Sequence, residues 1–277
     1  MTGRPALLPD MRMPQSIRLA ACMAALTCLP ALAHDSWLAA GSRTVQAGAL
    51  LALDMTSAEH FPKPGTGIAP ERIASAACLQ AGQRFALQPG DRTGAVLQLS
   101  ARPPAAGGVL CWVQLKPRAL DLAPGKVQEY LDEIDAPAAV RAAWTSGPRR
   151  WHETYTKHAK VIVPAPGRPA TQPQAPVGLA LEFVPLSDWS TGQPGERLAL
   201  QVLRGGQPLA GLSVALTGEQ GPPAVRQRSD ANGRVSFSRP APGRWMLSAT
   251  DLRPVGTDGS WDSHFSTLVF ELLVPSP

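Results

Sequence analysis

Much of what would assign this sequence quickly to a function is missing from it. Beyond residue 33 no stretch is apolar enough to cross a bilayer, which takes roughly 20 apolar residues, so no membrane anchor is expected in the mature chain. There is no basic cluster. The net charge of +5 falls to +3 for residues 34–277 once Arg4, Arg12, Arg18 and Asp10 are set aside, and the arginines are scattered. That excludes the electrostatic footprint of a nucleic-acid binder. No Gly-x-Ser-x-Gly elbow, His-Glu-x-x-His pair or phosphate-binding glycine loop occurs, so no enzyme is expected. No internal repeat is evident.

Cysteine is scarce too. Of the four in the chain, Cys22 and Cys28 lie in the first 33 residues, leaving Cys78 and Cys111. An even pair in an oxidising compartment reads as a disulfide, whereas a soft metal site would need further thiolates nearby.

The N-terminal segment reads as a leader. Arg12 and Arg18 make a positive n-region, Leu19–Leu29 is an apolar, Ala-rich h-region, and Pro30 precedes the small-x-small site Ala31-Leu32-Ala33. Leu19-Ala20-Ala21-Cys22 resembles a lipoprotein cleavage box but follows Arg18 with no apolar run ahead of it. The expectation is a cleaved signal peptide over 1–33 and a periplasmic or secreted product. Cleavage would make His34 the first residue, with a free α-amine and an imidazole on one residue. Those two nitrogens can chelate one metal ion, and an amine with a pKa of roughly 8 gives up its proton readily near neutral pH. The plainer alternative is that a peptidase cuts before a histidine that has no further role.

The rest of the chain reads as mainly β. The expectation is two β-sandwich domains, 34–163 and 178–277, joined by a Pro-rich linker or loop over 164–177. The same Pro-rich stretch could instead be a loop within one domain. Short alternating runs at 50–55, 95–99 and 109–115 predict strands in the first half. A helical insertion spans Gly125 to Thr145, where Val127, Tyr130, Leu131, Ile134, Val140 and Trp144 recur at three- and four-residue spacing. Pro137 divides it into two short helices. In the second half, runs at 197–203, 213–217, 235–237, 242–249 and 264–274 are separated by turns, among them Asp230-Ala231-Asn232-Gly233. Their spacing predicts an immunoglobulin-like or transthyretin-like sandwich.

Asp230-Ala231-Asn232-Gly233-Arg234 followed by Pro242-Gly243-Arg244-Trp245 resembles a motif of carboxypeptidase-regulatory-like sandwich modules. Five ordered blocks resemble a larger family, the periplasmic NikM-like component of nickel/cobalt uptake systems. They are 34–38, 153–160, 181–186, 206–211 and 261–271. The resemblance implies binding of a transition-metal ion (Ni, Co or Cu), with an inner-membrane metal transporter as partner.

The candidate ligands are His34, His60 with the adjacent Glu59, and His264. Nitrogen donors suit the later first-row metals. His264 could equally be a strand histidine hydrogen-bonded at the sheet face. His152 and His158, six residues apart on a strand, are too distant to share an ion and read as structural or exposed. A copper brace on an N-terminal histidine is a further alternative, although nothing else resembles such oxygenases. So is a plain envelope interaction or glycan-binding module with no metal.

Overall fold

The computed structural model describes residues 34–41, 45–164, 175–187, 189, 192 and 195–274, with backbone only for 221–223. The expected leader and most of the expected linker lie outside these residues. The described chain is mainly β, in three sheets with two short helices.

The first sheet contains β1 (Asp35–Ala40), β2 (Leu51–Ala58), β3 (Thr66–Gly67), β6 (Gln88–Thr93) and β7 (Val96–Ala101). The second and largest contains β4 (Ile73–Gln80), β5 (Gln83–Ala86), β8 (Val109–Leu115), β9 (Arg118–Asp121) and β10 (His152–Val163). From the later chain it adds β14 (Ser213–Gly218), β15 (Gly221–Arg228), β17 (Gly243–Val255) and β18 (Ser260–Leu272). The third contains β11 (Leu181–Pro185), β12 (Arg197–Arg204), β13 (Gln207–Pro208) and β16 (Arg234–Ser238).

The large sheet is a shared wall. Because side chains alternate along a strand, its central strands β8, β10, β17 and β18 each feed two cores. Val161, Val163 and Val269 pack with Trp37, Leu53, Met55 and Leu97 of the first sheet. Ile162, Leu268 and Phe270 point the other way and pack with Phe183, Leu200 and Val202 of the third. Hence β8 reads as a near-continuous apolar run and β10 ends in one, Val161-Ile162-Val163, since strand segments covered on both faces have no solvent side to keep polar.

The expected division at 164–177 does not interrupt this wall. β10 pairs in parallel with β18, Thr156 opposite His264, and residues 31–277 form one compact unit. The two sandwiches are therefore built on one sheet, each half lending it strands.

The helical insertion matches the sequence reading. α1 (Pro124–Glu133) and α2 (Ala138–Ser146) flank Pro137, with Val127, Tyr130, Leu131, Val140 and Trp144 buried. They cap a third cluster in which Trp151 stacks on Trp261 at 4.4 Å. Under the helices Glu153 is buried, accepting hydrogen bonds from Tyr130 Oη (2.9 Å), Trp151 Nε1 (2.9 Å) and Ser263 Oγ.

Cys78 and Cys111 face each other across β4 and β8, both fully buried, and form a disulfide. The bridge closes a loop between residues 33 apart, which removes chain entropy from the unfolded state. The paired replacement Cys78→Ala/Cys111→Ala is expected to lower the unfolding free energy by about 2–4 kcal/mol, read from urea titration.

Candidate metal centre

The position of His34 follows from its neighbour three residues on. Trp37 is 1% exposed and meets Phe61 edge to face at 5.6 Å. That contact fixes the start of β1 and, at once, the loop that follows β2. The β1–β2 ladder pairs Asp35 with Ala58, so the residue before Asp35 and the residue after Ala58 lie side by side at the sheet's end. Those residues are His34 and Glu59, with His60 next. Two further bonds tie the segment to the large sheet: Thr267 Oγ1 donates to the Ser36 carbonyl at 2.7 Å, and Lys157 Nζ donates to the His34 carbonyl.

The electrostatics keep the imidazole available. Burial, and next the charge of Lys157, push the His34 pKa below its ordinary value, while Glu59 opposes the shift. The ring is therefore neutral near pH 7, the form that ligates metals. His60 and Glu59 are exposed, with His60 Nε2 3.9 Å from Glu59 Oε1. Asp35 lines the same cleft as Glu59 and His60, its carboxyl pushed up to about 6 by burial, and Lys157 is pushed down to about 8 by the same cause.

Glu59 and His60 open onto a cleft of about 460 Å³ that also carries Asp35, Glu129, Glu133 and Arg226. His34 lines a second cleft next to it. The beginning of β1 thus divides an acidic groove from a basic one. No group of three or more His, Cys, Asp or Glu side chains is arranged to hold a metal among the described residues. The three candidates at this end supply two imidazoles and a carboxylate, and cleavage before His34 would add its α-amine as a further donor.

His264 does not join them. It lies on the face of β18 that looks toward the third sheet, opposite to Phe265 and Thr267, so the alternation that buries Phe265 carries His264 away from His34. Its Nδ1 is 2.9 Å from His158 Nε2, with ring planes 3° from parallel and centroids 5.3 Å apart, so the rings meet nitrogen to nitrogen. Its Nε2 is 3.4 Å from Asp262 Oδ2. Asp262 in turn holds Arg204, which also bonds Asp251 at 2.7 Å. Both nitrogens of His264 are thereby engaged in the fold. The alternative reading, a strand histidine hydrogen-bonded at the sheet face, is the one the geometry matches. His152, 2.8 Å from Asp121 on the surface, is also remote from the site.

Sequence reasoning missed the cations around His34. Arg72, Arg92 and Arg118 lie in separate segments and carry no local signal, because only the packing of the sheets assembles them.

Comparison with known proteins adds one firm result. No curated protein matches the chain. Among solved structures, native alpha-2-macroglobulin from Escherichia coli (domains MG0-NIE-MG1) aligns at 11% identity over 86% of this chain and 97% of that one, with a TM-score of 0.22. The full ectodomain of mouse nectin-like molecule 4 aligns at 10% identity over 88% of this chain and 65% of that one, with a TM-score of 0.19. At such scores neither bears on fold or function. The domain of unknown function DUF4198 matches residues 31–251, ending within β17, and the chain belongs to that family.

Proposed function

We propose that the protein is exported, loses residues 1–33, and binds a transition-metal ion at its new N-terminus as cargo for uptake or handling in the cell envelope. The single observation that carries this reading is the β1–β2 register, which sets His34 beside Glu59 and His60. Amine and imidazole of His34 with the imidazole of His60 make three nitrogen donors, and Glu59 offers an oxygen. Such a set suits Ni(II), Co(II) or Cu(II). The neutral state of the His34 ring and the carboxylates of the adjoining cleft support it, since a negative groove raises the local cation concentration.

The finer assignment, a NikM-like component serving an inner-membrane nickel/cobalt transporter, rests on the five sequence blocks that resemble that family. Among the described residues no helix is long and apolar enough to cross a membrane. The protein works without catalysis: it holds the ion and passes it on.

Intact mass of the secreted protein is expected to correspond to a chain starting at His34. Calorimetric titration with Ni(II), Co(II) and Cu(II) is expected to show one site, weakened at least about tenfold in His34→Ala and in His60→Ala, as loss of a ligand costs no less than loss of a supporting partner. Unchanged binding in His34→Ala would sink the metal reading in favour of an interaction module.

A further inference from the structure

We infer that the basic cleft beside His34, about 370 Å³ in volume, is a binding site for a small organic carboxylate with an apolar or aromatic body. Its cations come from four elements. Arg72 ends a 3-10 turn (Pro70–Arg72), Arg92 lies on β6, Arg118 opens β9 and Lys157 lies on β10. Among the described residues no Asp or Glu lines the cleft. Among the described residues the three guanidinium groups have no side-chain hydrogen bond and no ion pair. Two of them repel each other: burial, and then the charge of Arg118, lower the Arg72 pKa. Guanidinium groups gathered without a carboxylate partner are relieved by an anion, and their forks match the two oxygens of a carboxylate. The packing leaves room for this. A Cβ on Gly67 would stand 2.8 Å from Arg92 Cγ, so the glycine lets the arginine stem lie across the cleft edge.

Ser36 provides an independent pointer. It is 2% exposed, borders the cleft, and its Oγ is buried without a hydrogen-bond partner among the described residues. An orphaned hydroxyl costs free energy that a carboxylate oxygen accepting its proton would recover.

The remaining lining decides the class of anion. Tyr155 and Phe265 meet edge to face at 6.1 Å, and Lys157 Nζ stands 5.7 and 5.4 Å from their ring centres. Leu115 and Ile68 extend the apolar surface. A bare phosphate or sulfate would engage the cations and leave this surface wet. A carboxylate on an apolar or aromatic body uses both halves, and the volume fits a small molecule. The site needs no metal, so it stands or falls separately from the N-terminal chelate.

Calorimetry on the secreted protein, treated with a chelator and with metal-free buffers, tests this with phenylacetate and hexanoate as probes. Both are expected to bind, with the neutral phenylacetamide and inorganic phosphate at least about tenfold weaker. Arg92→Gln combined with Arg118→Gln changes two exposed side chains, so the fold, checked by circular dichroism, should persist while affinity for both carboxylates drops at least about tenfold. Arg234→Gln, at the exposed start of β16 and not among the residues lining the cleft, should bind as wild type does. Absence of binding by both carboxylates, phenylacetamide binding as well as phenylacetate, or full affinity in the double variant overturns the site. Phosphate binding as tightly as the carboxylates overturns the assignment to an organic anion.

Discussion

Lys160→Ala is expected to destabilise the protein by about 3–5 kcal/mol, because it leaves a buried carboxylate without its counterion. Lys160 is 1% exposed, on the face of β10 that looks toward the third sheet, and donates to Glu182 Oε1 at 2.7 Å and the Phe183 carbonyl at 2.8 Å. Glu182 is equally buried and also accepts the backbone N–H groups of Val177 (2.7 Å), Gly178 (3.1 Å) and Leu179 (3.3 Å). One carboxylate therefore fastens the entry to β11, and one ammonium ties that entry to the shared wall. Glu182→Gln added to Lys160→Met should recover part of the loss, since the amide oxygen keeps an acceptor for the N–H groups while no charge remains to be buried. Urea unfolding at pH 7 measures both. A loss below about 1 kcal/mol for Lys160→Ala would mean that water reaches Glu182 and that the pair is no anchor.

The second large effect is acid sensitivity carried by His158. Its pKa is pushed down to about 3, first by burial and then by His264 and Arg204. Between its ordinary value near 6.5 and that depressed value, the unfolded chain binds a proton that the folded chain refuses. Stability from this group is therefore complete above about pH 6.5 and drains away as pH falls toward 3, at up to about 1.4 kcal/mol per pH unit. Asp35 and Glu153 act in the opposite sense, because burial raises their carboxyl pKa values, so the folded state gains on the unfolded one as they take up protons. The contribution of His158 is isolated by difference. Unfolding free energies of wild type and His158→Asn, measured from pH 7 to pH 4, should differ in slope by close to one proton. Parallel curves would contradict a neutral, buried His158.

The elements legible in the sequence were those set by local chemistry. Pro137 divides the helices, and the residues at helical spacing are the buried ones. Asp230 Oδ1 accepts the N–H groups of Asn232 and Arg234 at 2.8 Å each, so the turn before β16 is written in its own residues. The only two cysteines beyond residue 33 form the disulfide. What escaped was long-range register. Nothing near Thr156 announces that it lies opposite His264 in a parallel pair, yet that pairing merges the two halves into one sheet and brings His158 to His264. The charged residues beside apolar ones, Lys160 before Val161-Ile162-Val163 and Glu182 between Leu181 and Phe183, were a usable signal, because a charge is buried at low cost only when it is paired.

The candidate site was legible in part for the same reason. His34, Glu59 and His60 are joined by a neighbouring pair of strands, whereas His264 is separated from them by the thickness of the large sheet. The arginines of the basic cleft come from three separated elements and needed the fold.

The most direct test of the N-terminal chelate compares Ni(II) binding by the protein that begins at His34 with binding by the same chain preceded by Gly-Ser-Gly-Ser. The extension keeps the imidazoles of His34 and His60 and the carboxylate of Glu59 but moves the amine away. The account predicts one tight site in the first protein and an affinity at least about a hundredfold lower in the second, the loss of a chelating ligand exceeding that of any outer partner. Equal affinity in the two proteins would contradict it.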